Sequence, residues 1–205
     1  MSTAAAYEET ISLPRAVRFP VELVPPEGFD PERLPTWPQV AGRLEYVDGR
    51  LLYMPPCGDV QQDTVTDLVI TLGAWVRSHP GFVLGTNEAG MRLAGATRAA
   101  DAAIWSRARA GPYTGGLRRT PPLLAVEVAG AGTDEPEALL RDKARWYLAA
   151  GVAIVWLVLP ESREVVVITP ADERRFAQGD AIAEHPELPG LAPLVRDLFR
   201  QADER

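Results

Sequence analysis

The hydrophobic positions along this chain follow two spacings, one typical of strands and one typical of helices. Residues 43–54, RLEYVDGRLLYM, form two short strand-like runs around Asp48 and Gly49. An Asp-Gly pair between two such runs is a strong β-hairpin signal. From Val60 to His79 the apolar residues recur at helical spacing and stop before a Pro-Gly pair, which predicts a helix.

The chain after this helix contains six further strand-like runs and a second helix. Two runs, Leu123–Val128 and Ile154–Leu159, are too uniformly apolar to have a solvated face, and the helix between them makes them a crossover pair. The predicted fold class is therefore α/β, a mixed sheet with helices on its faces. The other four runs are Phe82–Gly85, Met91–Leu93, Asp101–Trp105 and Val165–Ile168.

The second helix is predicted within residues 133–151. Asp134 and Glu137 have capping-box spacing, Pro136 suits the first turn, and Gly151 suits the position after the last turn. At about 100° per residue, one apolar stripe passes through a lysine at its centre. The stripe consists of Leu139, Leu140, Lys143, Trp146, Tyr147 and Ala150.

The ends of the chain show weaker patterns. Residues 1–40 are rich in proline and acidic groups and are predicted to form an irregular arm, with one α/β domain over residues 41–205. Several prolines follow residue 185 and predict a loose tail that ends in a short element near residues 194–199. The length of 205 residues, with 46% hydrophobic and 24% charged residues, is ordinary for one globular domain.

Composition excludes several classes of protein and site. No run approaches the roughly 18 apolar residues of a membrane span, and the N-terminus lacks a signal-peptide pattern, so a cytoplasmic protein is expected. A single cysteine, Cys57, excludes an internal disulfide and a cysteine-rich zinc site. With only His79 and His185 as histidines, any metal would be a hard, oxygen-bound ion such as Mg²⁺.

The charge is acidic overall but locally basic. A net charge of −7 argues against a dedicated nucleic-acid binder. Residues 102–126, however, contain no acidic residue and include a glycine-rich segment, GPYTGG. This segment is either a solvated loop or an arm that contacts phosphates, and Arg92 and Arg98 could add to its charge. The basic residues of the segment are Arg107, Arg109, Arg118 and Arg119.

Three charged residues stand at apolar positions. Lys143 is the one lysine among 21 basic residues, and it is either a lysine whose head reaches water or a functional ammonium. Glu127 interrupts an apolar strand and Asp101 begins another, so each needs a cation, a metal or a proton, or a position at the surface. If the three converge, the two acids can bind a hard cation with the ammonium beside it, an arrangement suited to phosphoryl transfer.

These residues resemble the Uma-type endonuclease family, a bacterial branch of the restriction-endonuclease-like PD-(D/E)xK superfamily. The resemblance rests on Asp101, on Glu127 within a VEV strand, on Lys143 four residues before Tyr147, and on the LEYVDGRLLYMPP hairpin. It covers roughly residues 42–168. It implies a restriction-endonuclease-like core in the order αβββαβ, which agrees with the predicted elements.

The resemblance also implies roles for these residues. Asp101 and Glu127 would bind Mg²⁺ or Mn²⁺. The superfamily's lysine usually lies two residues after the glutamate, where this chain has Ala129. Members of this branch often carry a lysine on the following helix instead, which Lys143 matches. Departures from the family pattern occur at Gln61, Ala100, residues 130–132 and Ile154. Glu45 and Glu88 are further carboxylates whose hairpin and loop settings predict surface positions.

Two hypotheses of different class follow. In the first, the protein is a metal-dependent nuclease that hydrolyses phosphodiesters in nucleic acid, most simply DNA. Asp101 and Glu127 hold the metal that activates a water, and Lys143 orients that water or stabilises developing charge. In the second, it is an inactive nuclease-fold module that binds protein or nucleic acid, and Lys143 and Glu127 form a buried ion pair. A homodimer is expected by analogy with nucleases that cut two strands.

Overall fold

A computed structural model describes residues 19–113, 115–130 and 137–204 of the chain. The predicted capping residues Asp134 and Pro136 lie outside the described residues, as do residues 1–18.

The predicted hairpin is present and pairs with an additional strand. β2 (Arg43–Val47) and β3 (Arg50–Met54) are antiparallel. Asp48 and Gly49 between them have φ angles of 51° and 79°, as a two-residue type I′ turn requires. β1 (Val21–Leu23) pairs with β3. The segment predicted as an irregular arm therefore contributes the first strand of the sheet.

The first long helix and the two longest strands follow. α1 spans Asp59–Ser78, close to its predicted limits. β4 (Phe82–Leu93) and β5 (Ala96–Ser106) form a long antiparallel hairpin, where the sequence pattern predicted three short runs. Small residues such as Gly90 and Ala99 interrupt the apolar alternation without interrupting the ladder. No helix in the described parts of the chain is long and apolar enough to cross a membrane.

The predicted crossover pair is confirmed. After the one-turn helix α2 (Arg107–Ala110), β6 (Leu124–Val128) and β7 (Ile154–Leu159) are parallel, with α3 (Glu137–Ala149) between them. All residues of both strands are buried, which explains their continuous apolar sequence. β8 (Glu164–Ile168) and the unpredicted β9 (Glu173–Phe176) complete the sheet.

The nine strands found in the described parts of the chain form one mixed sheet with a helix on each face. The order is β1-β3-β2-β5-β6-β7-β8-β9, with β4 on β5. Side chains of α1, including Leu68 and Leu72, pack on one face against Val126 of β6. Side chains of α3 pack on the other face, where Tyr147 belongs to the same buried cluster as Ala125. Because side chains alternate along a strand, Glu127 projects toward the α3 face.

The tail after residue 176 is packed rather than loose, so that prediction was wrong. Its apolar residues cover the α1 face of the sheet, and Trp75 of α1 donates a hydrogen bond of 3.1 Å to the Pro189 carbonyl. A 3₁₀ helix at Val195–Leu198 precedes the short helix α4 (Arg200–Asp203). Pro186 and Pro189 are exposed, while apolar residues between and around them are buried. The fully buried apolar residues of the tail include Ile182, Leu188, Val195, Leu198 and Phe199.

Because the tail is part of the core, we expect Leu198→Ala to lower the free energy of unfolding by about 2–5 kcal/mol. Ile70→Ala is the matched control: it removes the same number of carbons from the solvent-facing side of α1, where Ile70 is 62% exposed. We expect it to change stability by about 0.5 kcal/mol or less. Urea unfolding measures both, and equal small effects would contradict a packed tail.

Candidate active site

Asp101 lies at the point where the sheet divides. β4 occupies one edge of β5, so β2 and β6 share the other edge: β2 pairs at Thr97 and β6 begins to pair at Ala102. Residues 98–101 lie between the two partners, and we call this gap between β2 and β6 the fork. On the β4 side, the register breaks between Thr86 and Ala89, opposite Asp101. A fork on one side and a bulge on the other leave Asp101 outside the regular ladder, an arrangement common beside active sites.

Two further residues of that bulge, Asn87 and Glu88, have φ angles of 55° and 57°. The left-handed region is uncommon for residues other than glycine, and its use at functional sites is a recognised form of stored strain. Glu88 is exposed, as predicted, yet its charge contributes to the raised pKa of Arg43. The charge of Glu88 in the bulge therefore acts on Arg43, which lies beside the fork.

Glu127 is buried and receives two hydrogen bonds from α3. The Lys143 ammonium donates to Oε2 at 3.1 Å, and the Tyr147 hydroxyl donates to Oε1 at 2.6 Å. Lys143 and Tyr147 are four residues apart, so one helical face delivers both groups. The glutamate side chain is 2% exposed, which explains why it needs a cation and a hydroxyl together.

The buried face of α3 differs slightly from the predicted stripe. Its buried residues are Leu140, Lys143, Ala144 and Tyr147. Leu139 is 37% exposed and Ala144 takes its place, so the stripe is rotated by a fraction of a turn. Lys143 stays central, and its stem is buried while its ammonium meets the carboxylate.

Asp101 is fixed through one oxygen. Its Oδ2 accepts a hydrogen bond of 2.7 Å from the backbone N–H of Val128, immediately after Glu127. Its Oδ1 is 3.6 Å from a guanidinium nitrogen of Arg43. The Val128 carbonyl accepts a hydrogen bond of 2.9 Å from the side chain of Gln61, at the start of α1. Asp101 is thus held beside Glu127, because it bonds to the backbone of the next residue of β6, Val128.

A second charged group lies beside the fork, where the prediction for Glu45 was wrong. Glu45 is 1% exposed rather than at the surface, and Arg98 donates to its Oε2 at 3.1 Å. Arg43, two residues earlier on the same face of β2, is 3.9 Å from its Oε1. The Arg98 guanidinium also stacks on the Trp146 ring, 5.2 Å from the centroid. The β2–β3 hairpin therefore adds Arg43 and Glu45 to the site, and β5 adds Arg98.

The two carboxylates of the site have opposite pKa shifts. Burial and the nearby charge of Glu127 raise the pKa of Asp101 to about 7. Burial would also raise the pKa of Glu127, but Lys143, Arg43 and the Tyr147 hydroxyl hold it below its ordinary value. Because like charges at close range disfavour double ionisation, one acid of the pair holds the charge and the other holds a proton near neutrality.

The donor set fits a hard divalent cation. Asp101 and Glu127 supply carboxylate oxygens, the ligands that Mg²⁺ and Mn²⁺ prefer. Each oxygen keeps a lone pair beyond the hydrogen bond it accepts. Burial and the nearby charge of Glu127 raise the pKa of Asp101, and a bound cation would favour its ionised form. In the described residues no group of three or more His, Cys, Asp or Glu side chains forms a metal site, so water would complete the coordination.

The predicted arginine segment is engaged with its own surroundings. Arg118 stacks on Trp105 and on the exposed ring of Tyr113, at 4.6 and 5.9 Å from the centroids. Arg119 forms an ion pair of 2.7 Å with Glu32. The other two, Arg107 and Arg109, are exposed in α2, where Arg107 donates to the Pro80 carbonyl. Arg92 pairs with Glu32 and Arg98 with Glu45, so neither adds free charge.

Arg43 and Tyr147 were the site residues that the sequence pattern did not indicate. Tyr147 occupies a position in the apolar stripe of α3, although a buried tyrosine hydroxyl usually requires a partner. Arg43, Glu45 and Val47 share one face of β2, and the apolar Val47 signals that this face points inward. The strand alternation thus contained the signal that placed Glu45 in the interior.

A family model described as "Putative restriction endonuclease" (Uma2) matches residues 31–198. The chain belongs to this family. The match contains the fork, β6 and α3, and therefore every residue of the candidate site. No curated protein sequence matches the chain.

A solved structure shares the fold of this Uma2 chain. A crystal structure described as "a putative nuclease belonging to DUF820", from Anabaena variabilis, is 17% identical, with a TM-score of 0.69 over 81% of this chain and 94% of that chain. Identity this low shows the fold alone, which is restriction-endonuclease-like. A cryo-EM structure of a DrdV–DNA complex is 18% identical over 68% of this chain and 13% of that chain, and its TM-score of 0.33 carries no argument.

The pKa of Asp101 predicts how stability depends on pH without metal. A folded-state pKa of about 7, against an ordinary value of 3.8, contributes stability that is present below about pH 4 and lost as pH rises through 7. Asp101→Asn keeps a neutral acceptor for the Val128 N–H. We therefore expect the variant to gain stability over the wild type between pH 5 and 8, by at most about 1.4 kcal/mol per pH unit. Urea unfolding in EDTA measures this gain, and parallel pH profiles would contradict it.

Proposed function

We propose that this protein is a metal-dependent nuclease that hydrolyses phosphodiester bonds in nucleic acid, with DNA as the substrate. The observation that carries the proposal is the convergence of three predicted residues from three elements. Lys143 of α3 contacts Glu127 of β6 at 3.1 Å. Asp101 of β5 accepts a hydrogen bond from the backbone N–H of Val128, the residue after Glu127. Membership of the Uma2 family supports the same activity.

Each side chain has a task that its surroundings suit. Asp101 and Glu127 would hold Mg²⁺ or Mn²⁺, which would supply Lewis acidity and lower the pKa of the attacking water. Lys143 holds a positive charge beside the carboxylate and stabilises negative charge that develops on the phosphate. Tyr147 fixes the carboxylate of Glu127 from the other oxygen, so the acid cannot rotate away from the reacting group.

Nucleic acid would approach from the surface that carries the exposed arginines. Arg107 and Arg109 of α2 are exposed and fit contacts with phosphates, while Arg118 and Arg119 would contribute after exchanging their protein partners. The acidic net charge of −7 requires such a local basic surface. A homodimer would allow both strands of a duplex to be cut.

We expect purified protein to cleave DNA in the presence of Mg²⁺ or Mn²⁺, and Lys143→Ala and Asp101→Asn to lose about 10²-fold or more of the rate. Lys143→Arg should also fail, because a planar guanidinium cannot replace a compact ammonium in a buried contact. Arg145→Ala is the matched control on the same helix, since Arg145 is exposed and pairs with Asp142. Robust cleavage by Lys143→Ala would remove the lysine from the mechanism.

Metal binding has its own test. We expect millimolar Mg²⁺ or Mn²⁺ to raise the melting temperature, because a ligand that binds only the folded state stabilises it. The shift should be larger at pH 8 than at pH 6, since protons compete for Asp101, whose pKa is about 7. Asp101→Asn should abolish the shift. A thermal-shift assay with EDTA as the reference measures it, and an unchanged melting temperature at both pH values would contradict a metal site.

The second candidate function is an inactive nuclease-fold module that binds protein or nucleic acid. The observation that favours it is the Glu127 environment, in which Lys143 and Tyr147 already occupy one position on each oxygen. A buried ion pair of this kind can serve the fold without metal. The two functions differ in the metal experiment, because the module predicts no thermal shift and no cleavage.

A further inference from the structure

Arg43 is a buried cation that the proposed reaction does not use. It is the first residue of β2, and its guanidinium enters the gap between β2 and β6 on the edge of β5. One nitrogen is 3.6 Å from Asp101 Oδ1 and 3.4 Å from the Ala99 carbonyl oxygen. The side chain is 14% exposed. It therefore lies beside the oxygen of Asp101 that the backbone of β6 leaves available.

The contacts of Arg43 are longer than those of its neighbours. Charge-assisted hydrogen bonds are usually about 2.7–2.9 Å long. The bonds that hold Glu127 and Asp101 are 2.6–3.1 Å long, and Arg98 is 3.1 Å from Glu45. Arg43 comes no closer than 3.4 Å to a carbonyl, and its Nε, 3.9 Å from Glu45, has no hydrogen-bond partner among the described residues. Charge, rather than close hydrogen bonding, holds it in the gap.

Asp101 uses its two oxygens differently. Oδ2 is committed to the Val128 N–H, at 2.7 Å, so Oδ1 is the oxygen that faces the fork. A divalent cation bound to Oδ1 would lie next to the Arg43 guanidinium. Two cations that lie side by side repel each other strongly in a partly buried site, where screening by water is weak. Arg43 and a metal ion cannot both occupy the space beside Oδ1 without cost.

We propose that Arg43 is the built-in counter-ion of the metal-free site, and that a divalent metal displaces it from Asp101 when it binds. The inference rests on the proposed function, because it assumes a metal at Asp101 and Glu127. Arg43 then sets the metal affinity: it keeps the carboxylates in place without metal and weakens metal binding by competing for Oδ1. Because the contacts of Arg43 are long, its departure from Asp101 breaks no short hydrogen bond.

Calorimetric titration with Mg²⁺ at pH 8.5, where the carboxylates are ionised, tests the competition. We expect Arg43→Gln to bind Mg²⁺ at least tenfold more tightly than the wild type, and Arg43→Lys to bind with an affinity between the two. Arg98→Gln is the matched control, because it removes a buried arginine of the same cluster that pairs with Glu45 instead of Asp101. It should stay within about threefold of the wild type.

Unchanged or weaker binding by Arg43→Gln would overturn the inference and leave the metal site intact. If neither the wild type nor Arg43→Gln bound Mg²⁺, the metal site itself would be refuted together with the inference. Binding by Arg43→Gln alone would support the inference and show that Arg43 blocks the site. Equal gains for Arg98→Gln would point to overall charge and would also overturn a specific role for Arg43.

A measurement on the wild type avoids any loss of folding in the variants. The Nε–H resonance of Arg43, assigned through its disappearance in Arg43→Lys, should shift as Mg²⁺ is added. The resonance of Arg50 of β3, which pairs with Glu22 of β1, should stay in place. A shift at Arg43 supports displacement. A stationary Arg43 signal under conditions where calorimetry shows saturation would overturn it.

Discussion

The burial of Glu127 is the constraint on which the rest of the site depends. An ionised carboxylate in the interior of a sheet is costly unless cations and hydrogen-bond donors surround it. Here Lys143 and Tyr147 bond to it directly, and the charge of Arg43 adds to the lowering of its pKa. Removal of any one of these groups would leave charge uncompensated. The positions of α3 and of the β2–β3 hairpin are therefore coupled to a single side chain of β6.

Asp101 shows what this arrangement leaves unresolved. Burial and the nearby charge of Glu127 raise the pKa of Asp101 to about 7, although Arg43 and Lys143 oppose the shift. The cations of the cluster thus keep Glu127 ionised without doing the same for Asp101. Strongly shifted pKa values are common at sites that bind cations or transfer protons, and structural ion-pair networks also produce them. The geometry beside Asp101, with the fork on one edge of β5 and the bulge on the other, is therefore the stronger indication of a site.

Much of the fold could be predicted because local signals agreed with tertiary structure. The Asp48-Gly49 turn, the apolar β6 and β7, and the helical spacing of α1 each required one arrangement. The packed tail could not be predicted, because its prolines break local patterns while its apolar residues are spread between them. Their burial depends on α1, which is more than 100 residues earlier in sequence, as the bond from Trp75 to Pro189 illustrates.

The candidate site likewise contains residues that the sequence indicates and residues that it does not. Glu127 and Lys143 were predictable because a charge within an apolar strand or stripe is anomalous in its own segment. Glu45 was not recognised, because a glutamate in a short hairpin is ordinary, and its burial follows from how β2 joins β5 at a single residue pair, Tyr46 and Thr97. Arg43 became important only through that same junction. The alternation with the apolar Val47 indicates the direction in which Arg43 and Glu45 point. Which charges they meet there depends on the long-range pairing of β2 with β5, which the local sequence does not encode.

The use of lysine at position 143 follows from the geometry of Glu127. A guanidinium presents several N–H groups in a plane and tends to take both oxygens of a carboxylate. Such a contact would displace the Tyr147 hydroxyl from Oε1 and occupy the oxygens that a metal would need. An ammonium is a compact charge that bonds to Oε2 of this carboxylate and leaves Oε1 to the tyrosine. In a chain that uses arginine at every other basic position, the one lysine is therefore a cation that contacts Glu127 without covering both of its oxygens.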